Sequence, residues 1–225
     1  MASSIPLTFP CDTGSGVGLL LRSDPPARRA VVVVQEWWGL VPHIEDVAGR
    51  FADEGYTVLV PDLYRGASTV DAEEASHLMN GLDFGRAAGE IAAAVAYLRD
   101  HEGCTDIGIV GFCMGGALAV IAASVAQIDA FVSFYGFPPA GAADLSQITA
   151  PGLFFFGDTE DVFSVEGAQD FVAAQSARGV ATDLLVYPGA GHAFFNDTRS
   201  GVYVPAAAAD AWRRTLTHLA AHLPG

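Results

Sequence analysis

Runs of β-branched and other apolar residues recur along the chain, and amphipathic segments separate them. The apolar runs predict strands, and apolar positions three and four residues apart in the intervening segments predict helices. A solid run such as 31–34 is typical of a strand covered on both faces. The alternation predicts an α/β fold with a mostly parallel central sheet, helices on both faces, and one domain over residues 1–225. The predicted strands are 17–21, 31–34, 57–60, 107–110, 130–134, 153–156 and 182–186, and the predicted helices are 42–55, 72–79, 86–100, 115–126, 162–178 and 205–223.

The composition narrows the function classes. Of the 225 residues 51% are hydrophobic and 16% charged, which excludes disorder as a general description. The net charge of −15 disfavours nucleic acid and membrane partners. The number of cysteines, three, is odd and the chain is long, which argues against a disulfide scaffold, and no signal peptide or bilayer-length apolar run is visible. We therefore expect a cytoplasmic protein, a monomer or small homo-oligomer, that acts on a small molecule.

The segment GFCMGG at 111–116 directly follows a predicted strand and precedes a helix of small residues. It has the form G-x-C-x-G-G, the nucleophile-elbow pattern with cysteine in place of serine. At the start of a helix, amide N–H groups and the helix dipole would stabilise a Cys113 thiolate. The alternative interpretation is a buried cysteine in a glycine-rich turn.

Two further strand ends carry a candidate acid and a candidate base. The loop GDTED at 157–161 offers Asp158 and Asp161, of which we favour Asp161; the alternative is an acidic turn that caps the next helix. His192 lies in the glycine-rich loop GAGHAFF at 189–195. The order Cys113, Asp161, His192 is the order nucleophile, acid, base of α/β-hydrolases. The six histidines show no metal-ligand spacing, so we predict no metal site.

The segment QEWWG at 35–39 follows the strand at 31–34, where such enzymes place the second N–H of an oxyanion hole. We therefore predict that the backbone N–H of Trp37 and that of Met114, the residue after Cys113, form the oxyanion hole. Glu36 could accept the thiol proton, could hold the nucleophile in a resting state, or could be a solvated loop residue.

Five segments together resemble the dienelactone hydrolase family of α/β-hydrolases: QEWWG at 35–39, EGYTVLVPDLYRG at 54–66, GFCMGG at 111–116, GDTEDVF at 157–163 and GAGHAFFN at 189–196. The resemblance implies an α/β-hydrolase fold and a triad of Cys113, His192 and Asp161. It also implies that Glu36 interacts with the nucleophile before substrate binds. The family reaction is hydrolysis of an enol-lactone such as 4-carboxymethylenebut-2-en-4-olide during aromatic compound degradation, with no cofactor or metal.

The chain departs from this family at two arginines that hold the substrate carboxylate in its well-studied members. Asn196 and Ala72 stand at these positions, and Arg65, Arg86 and Arg199 are possible replacements. The predicted pocket residues are mostly aromatic: Trp38, Tyr64, Phe137, Phe194 and Asn196.

The departure leaves more than one function open. The leading interpretation is hydrolysis of a lactone or carboxylic ester through a cysteine thioester. A carboxylesterase or thioesterase-like enzyme for less charged esters is the alternative within hydrolases. A non-catalytic redox sensor is the alternative of another class. A nucleotide-binding oxidoreductase is disfavoured because no strand is followed by G-x-G-x-x-G.

Overall fold

The computed structural model describes residues 4–12 and 14–225. Its sheet has eight strands in the order β1-β2-β4-β3-β5-β6-β7-β8. Every predicted strand and helix is present, although helix boundaries differ by a few residues. The strands are β1 Ser4–Cys11, β2 Gly14–Leu21, β3 Arg29–Val34, β4 Thr57–Pro61, β5 Asp106–Phe112, β6 Ala130–Phe134, β7 Gly152–Gly157 and β8 Thr182–Tyr187. The helices are α1 Pro42–Asp53, α2 Ala72–Asn80, α3 Phe84–Asp100, α4 Met114–Ala123, α5 Val165–Ala177 and α6 Pro205–His222, with a short 3-10 helix at Leu145–Gln147.

The first strand, β1, was not predicted. It lies at the sheet edge and pairs antiparallel with β2, with Ser4 opposite Leu21. Its sequence contains two prolines, which sheets tolerate at an edge, and Phe9 is its one fully buried side chain. With so little burial, β1 lacks the apolar run that marks the interior strands.

The interior of the sheet is parallel and covered on both faces. β3 pairs with β4 and β5, β5 pairs with β6, β6 with β7 and β7 with β8, all in parallel. Helix α4 follows β5 and is buried along all ten of its residues, mostly alanine, glycine and other small or apolar side chains. Burial on this scale fixes the end of β5 and the start of α4 against the core.

The start of α5 differs from the prediction for a clear physical reason. The periodicity predicts a helix from residue 162, whereas the helix begins at Val165. The Ser164 side chain caps it by accepting a hydrogen bond from the Gly167 N–H at 2.9 Å. The preceding residues, Val162 and Phe163, donate their N–H groups to the Glu160 carboxylate instead. Residues 162–164 therefore belong to the loop after β7.

Parallel pairing brings the carboxyl ends of the strands to one edge of the sheet, where functional residues are expected in α/β proteins. Glu36 follows β3, Cys113 follows β5, Tyr135 follows β6, Glu160 follows β7 and His192 follows β8. Within residues 4–12 and 14–225, no helix has the length and apolar character needed to span a bilayer.

Candidate active site

Cys113 lies at the turn between β5 and α4, and its backbone has φ 55° and ψ −119°. A positive φ is strained for a residue with a Cβ, and such strain persists only where surrounding contacts impose it. Here the Cys113 N–H donates to the Phe134 carbonyl at 3.0 Å, and the Cys113 carbonyl accepts from the Gly116 N–H at 2.9 Å. The turn therefore has the nucleophile-elbow geometry that the GFCMGG motif predicts.

The glycines of this motif are required by close backbone approach. A Cβ on Gly111 would overlap the carbonyl oxygen of Gly115, and a Cβ on Gly115 would overlap the carbonyl oxygens of Val34 and Gln35. Because every opposing atom belongs to the backbone, no side-chain movement could relieve the overlap. The motif spacing thus follows from packing α4 directly against the ends of β3 and β5.

His192 connects the cysteine to a carboxylate. Its Nε2 lies 3.1 Å from Cys113 Sγ, and its Nδ1 lies 2.9 Å from Glu160 Oε1. The Glu160 carboxylate is fully buried and also accepts hydrogen bonds from the Val162 and Phe163 N–H groups. The three side chains form a Cys–His–Glu arrangement of the kind used in nucleophilic catalysis.

The prediction that Asp161 orients His192 is wrong, since the carboxylate bonded to the imidazole is that of Glu160. Asp161 is exposed, and the other candidate, Asp158, accepts a hydrogen bond from the Gly189 N–H at 2.8 Å. Three carboxylates stand within four positions of this loop. The direction in which each one points depends on the course of the loop, which local sequence does not specify.

The protonation of His192 follows from its two partners. Burial alone would lower the pKa of His192, but the hydrogen bonds and charges of Cys113 and Glu160 outweigh this effect and raise it to about 10. At neutral pH the imidazole therefore carries a proton on each nitrogen. Nε2 then donates a hydrogen bond to Cys113 Sγ.

The backbone near Cys113 offers two N–H groups for a developing oxyanion. Met114 is the first residue of α4, so its N–H has no partner within the helix. Along the described residues, neither this N–H nor that of Trp37 donates a hydrogen bond to another protein group. Both residues line the same cavity as Cys113.

Glu36 is buried and accepts a hydrogen bond at each carboxylate oxygen, so its interpretation as a solvated loop residue is wrong. It is 1% exposed. Its Oε1 accepts from the Tyr135 hydroxyl at 3.2 Å, and its Oε2 accepts from Asn196 Nδ2 at 2.8 Å. Sequence reasoning missed Tyr135, although Tyr135 directly follows strand β6, just as Cys113 directly follows strand β5.

A cavity of about 770 Å³ opens at Cys113 and His192, and most of its lining is apolar. Of the predicted pocket residues, Trp38 and Phe137 line it. Tyr64, Phe194 and Asn196 do not: the Tyr64 hydroxyl contacts Met114 Sδ at 3.2 Å, Phe194 packs on Tyr135, and Asn196 binds Glu36. Lining residues that were not predicted include Met79, Phe84, Pro138, Pro139, Ala142, Val162, Phe163 and Val202.

One of the three possible replacement cations reaches this cavity. Arg199 lines it, with its guanidinium carbon 4.3 Å from the centre of the Trp38 ring. Arg65 and Arg86 instead both bind the buried carboxylate of Glu90, each at 2.5 Å. In the part of the chain that the structure describes, no group of three or more His, Cys, Asp or Glu side chains could hold a metal ion.

The sheet order, the elbow and the placement of functional side chains at the strand ends define an α/β-hydrolase. The family model described as "Dienelactone hydrolase family" matches residues 17–223. The chain belongs to the dienelactone hydrolase family and is a carboxylic ester hydrolase, as the resemblance implies.

Individual relatives agree with this assignment. A Bradyrhizobium protein named "Probable 2-oxo-3-(5-oxofuran-2-ylidene)propanoate lactonase" is 33% identical over 211 residues, covering 87% of this chain and 85% of that protein. A Saccharolobus solfataricus protein named "Putative carboxymethylenebutenolidase" is 30% identical over 244 residues, covering 92% and 94%. A crystal structure titled "Putative Dienelactone Hydrolase", from Klebsiella pneumoniae, superposes with a TM-score of 0.83 at 26% identity, covering 98% of this chain and 99% of that one.

Proposed function

We propose that this protein hydrolyses a lactone or carboxylic ester with Cys113 as nucleophile, His192 as general base and acid, and Glu160 as the residue that orients His192. The observation that carries the proposal is the continuous contact from Sγ to Nε2 at 3.1 Å and from Nδ1 to Oε1 at 2.9 Å, beginning at a strained elbow. A cysteine with a purely structural role would need neither the strain nor the paired imidazole.

Acylation begins with the thiolate. Cys113 Sγ attacks the carbonyl carbon and forms a C–S bond, while the carbonyl electrons move onto oxygen. The N–H groups of Met114 and Trp37 stabilise that oxyanion. When the C–O bond to the leaving oxygen breaks, His192 Nε2 transfers its proton to that oxygen. In a lactone the leaving oxygen stays attached to the acyl chain.

Deacylation uses the imidazole in its neutral form. His192 Nε2 takes a proton from water, and the resulting hydroxide oxygen attacks the thioester carbonyl. The C–S bond then breaks, the carboxylic acid is released, and Cys113 regains the thiolate paired with the imidazolium. The buried Glu160 carboxylate stabilises the imidazolium at both stages and fixes the orientation of the ring.

The cavity supports an acyl group that is largely apolar. Its lining is dominated by aromatic, proline and aliphatic side chains, and among the residues that the structure describes Arg199 is its one arginine or lysine. Asn196 and Ala72 stand where well-studied family members carry carboxylate-binding arginines. These features favour the second candidate, a carboxylesterase for less charged esters, whereas the names of the relatives favour a lactone.

The test compares Cys113→Ala with Cys104→Ala in hydrolysis of a p-nitrophenyl ester. Cys104 is a matched control because burial raises the pKa of its thiol to about 11, which leaves it unreactive. We expect a loss of at least about 10³-fold in kcat/KM for Cys113→Ala and a change within about twofold for Cys104→Ala. Wild-type turnover by Cys113→Ala would refute the nucleophile, and wild-type protein without any turnover would favour the redox sensor.

A second measurement separates the substrate classes. The wild-type protein is assayed with a dienelactone, a neutral aryl ester and a neutral alkyl ester. A kcat/KM at least about tenfold higher for the neutral esters would support the esterase, and the reverse order would support the lactonase.

A further inference from the structure

Tyr135 stands out because its backbone is strained and its hydroxyl is committed to one contact. It has φ 39°, is completely buried, and donates from its hydroxyl to Glu36 Oε1 at 3.2 Å. Its ring also meets the His192 ring edge-on, with the centroids 5.1 Å apart. Backbone strain at a non-glycine residue beside reactive groups indicates a placement that the surrounding structure enforces.

The second contact of Glu36 has a fixed direction. Asn196 Oδ1 accepts hydrogen bonds from the Thr198 N–H at 3.1 Å and from the Thr198 hydroxyl at 2.6 Å. Because Thr198 occupies the carbonyl side of the amide, the Nδ2 side must face Glu36, and Nδ2 can only donate. Each oxygen of Glu36 is therefore held by its own neutral donor.

The Tyr135 hydroxyl is a stable donor. Burial, together with the nearby charges of Glu36, Cys113 and Glu160, raises the pKa of Tyr135 well above its ordinary value. Along the described residues, Cys113 Sγ is hydrogen bonded to His192 Nε2, and no hydrogen bond joins it to Glu36. Glu36 and Cys113 nevertheless line the same cavity.

We propose that Tyr135 and Asn196 are positioning residues that occupy both oxygens of Glu36, so that the proton of the Cys113 thiol passes to His192 and not to Glu36. In this step the S–H bond breaks, an N–H bond forms at Nε2, and no electrons are transferred to another group. The proposal rests on the nucleophile assigned under the proposed function. It excludes both roles that remain for Glu36, because the two donors fix the orientation of the carboxylate, which then neither turns toward the thiol to accept its proton nor competes with His192 for the sulfur.

Tyr135→Phe keeps the ring and releases one oxygen of Glu36. The freed carboxylate can then accept a hydrogen bond from the thiol and draw Cys113 away from His192. We expect alkylation of Cys113 by iodoacetamide at pH 7 to slow by about tenfold, the effect of losing one hydrogen bond to a charged group.

The decisive control repeats Tyr135→Phe in a Glu36→Gln background, where no carboxylate can compete for the thiol. The slowing should disappear there. Tyr56→Phe removes the hydroxyl of a buried tyrosine whose ring packs on Phe51, and it should leave the rate within about twofold of wild type. An unchanged rate in Tyr135→Phe would overturn the proposal, as would equal slowing with and without Glu36.

Should Tyr135→Phe fail to fold, Asn196→Ala releases the other oxygen and must slow alkylation in the same Glu36-dependent way. A rate unaffected by Asn196→Ala would then overturn the proposal. Alkylation requires no ester, so failure of this inference is distinguishable from failure of the proposed hydrolase, which is read from turnover.

Discussion

Replacing Glu160 with Gln tests the proposed triad most directly, because an adjacent carboxylate provides a matched control. Glu160 is fully buried with Oε1 2.9 Å from His192 Nδ1, whereas Asp161 is exposed and does not contact the imidazole. Glu160→Gln removes the charge and keeps the side-chain length. Asp161→Asn makes the same chemical change one residue away.

The magnitude follows from the geometry. Unit charges 2.9 Å apart attract by about 6 kcal/mol at an effective dielectric constant near 20. Part of this attraction is offset by the cost of burying Glu160, and the amide of Gln retains one hydrogen bond. We expect a net loss of about 3 to 5 kcal/mol in transition-state stabilisation, which is about 10²- to 10⁴-fold in kcat/KM.

The assay is the pH dependence of kcat/KM for a p-nitrophenyl ester. The pKa of His192 is raised to about 10 by its partners. In the proposed mechanism the imidazolium protonates the leaving group, so we expect activity to persist until the pH approaches 10 and to fall above that value. Glu160→Gln removes one raising partner, so its alkaline limb should move to lower pH in addition to the loss of rate. Asp161→Asn should keep the wild-type limb and a rate within about twofold.

Two results would refute this reasoning. A large loss in Asp161→Asn with little change in Glu160→Gln would restore the acid favoured from sequence. A slower Glu160→Gln whose alkaline limb stays at the wild-type pH would show that Glu160 supports the loop without acting on His192.

Further predictions concern packing and specificity. A Cβ on Gly136 would overlap the Cys113 carbonyl and lie 2.7 Å from the Ala117 nitrogen, so Gly136→Ala should lower the free energy of unfolding by about 1–3 kcal/mol. Gly89 lies on α3 with open space around it, so Gly89→Ala should raise the free energy of unfolding by about 0.5–1 kcal/mol. Urea denaturation measures both changes. A Gly136→Ala protein as stable as wild type would contradict the close packing at the elbow. Arg199→Gln should lower kcat/KM about tenfold for an aryl ester bearing a carboxylate and leave the neutral analogue within about twofold; equal losses for both esters would show that Arg199 does not recognise charge.

The parts of the fold and site that sequence predicts are those where one local signal is strong. Interior strands such as β3 are solid apolar runs, and Cys113 lies in a motif whose glycines are dictated by backbone overlap. His192 is recognisable because a histidine in a glycine-rich loop after a strand has little reason to be structural. Edge strand β1 has no comparable signal, since it buries little.

The carboxylate that contacts His192 and several of the cavity-lining residues could not be predicted from sequence, because their positions depend on the course of the loops. Glu160 is chosen over Asp161 by a loop whose course is fixed by the Val162 and Phe163 N–H groups bound to the same carboxylate. Downstream of His192, Phe194 turns into the core beside Tyr135. His192 and Ala193 therefore line the cavity while the next residue, Phe194, does not, and residue type alone does not reveal this difference.

Because α4 is completely buried, the part of the molecule that holds Cys113 is separate from the loops that can vary. A helix without a solvent-facing side cannot shift without opening the core, so the position of Cys113 is set by the scaffold and does not adapt to the substrate. Met114 and Ala117 of α4 line part of the cavity, but most of its walls come from other segments: the end of α2, the start of α3, and the loops at 36–38, 137–142, 162–164, 192–193 and 199–202. Of these, the 137–142, 162–164 and 199–202 loops contain none of the reacting groups. These surface segments can change in length or sequence at little cost to the core. A laboratory search for new ester specificities should therefore randomise these loops and leave the 111–117 segment intact.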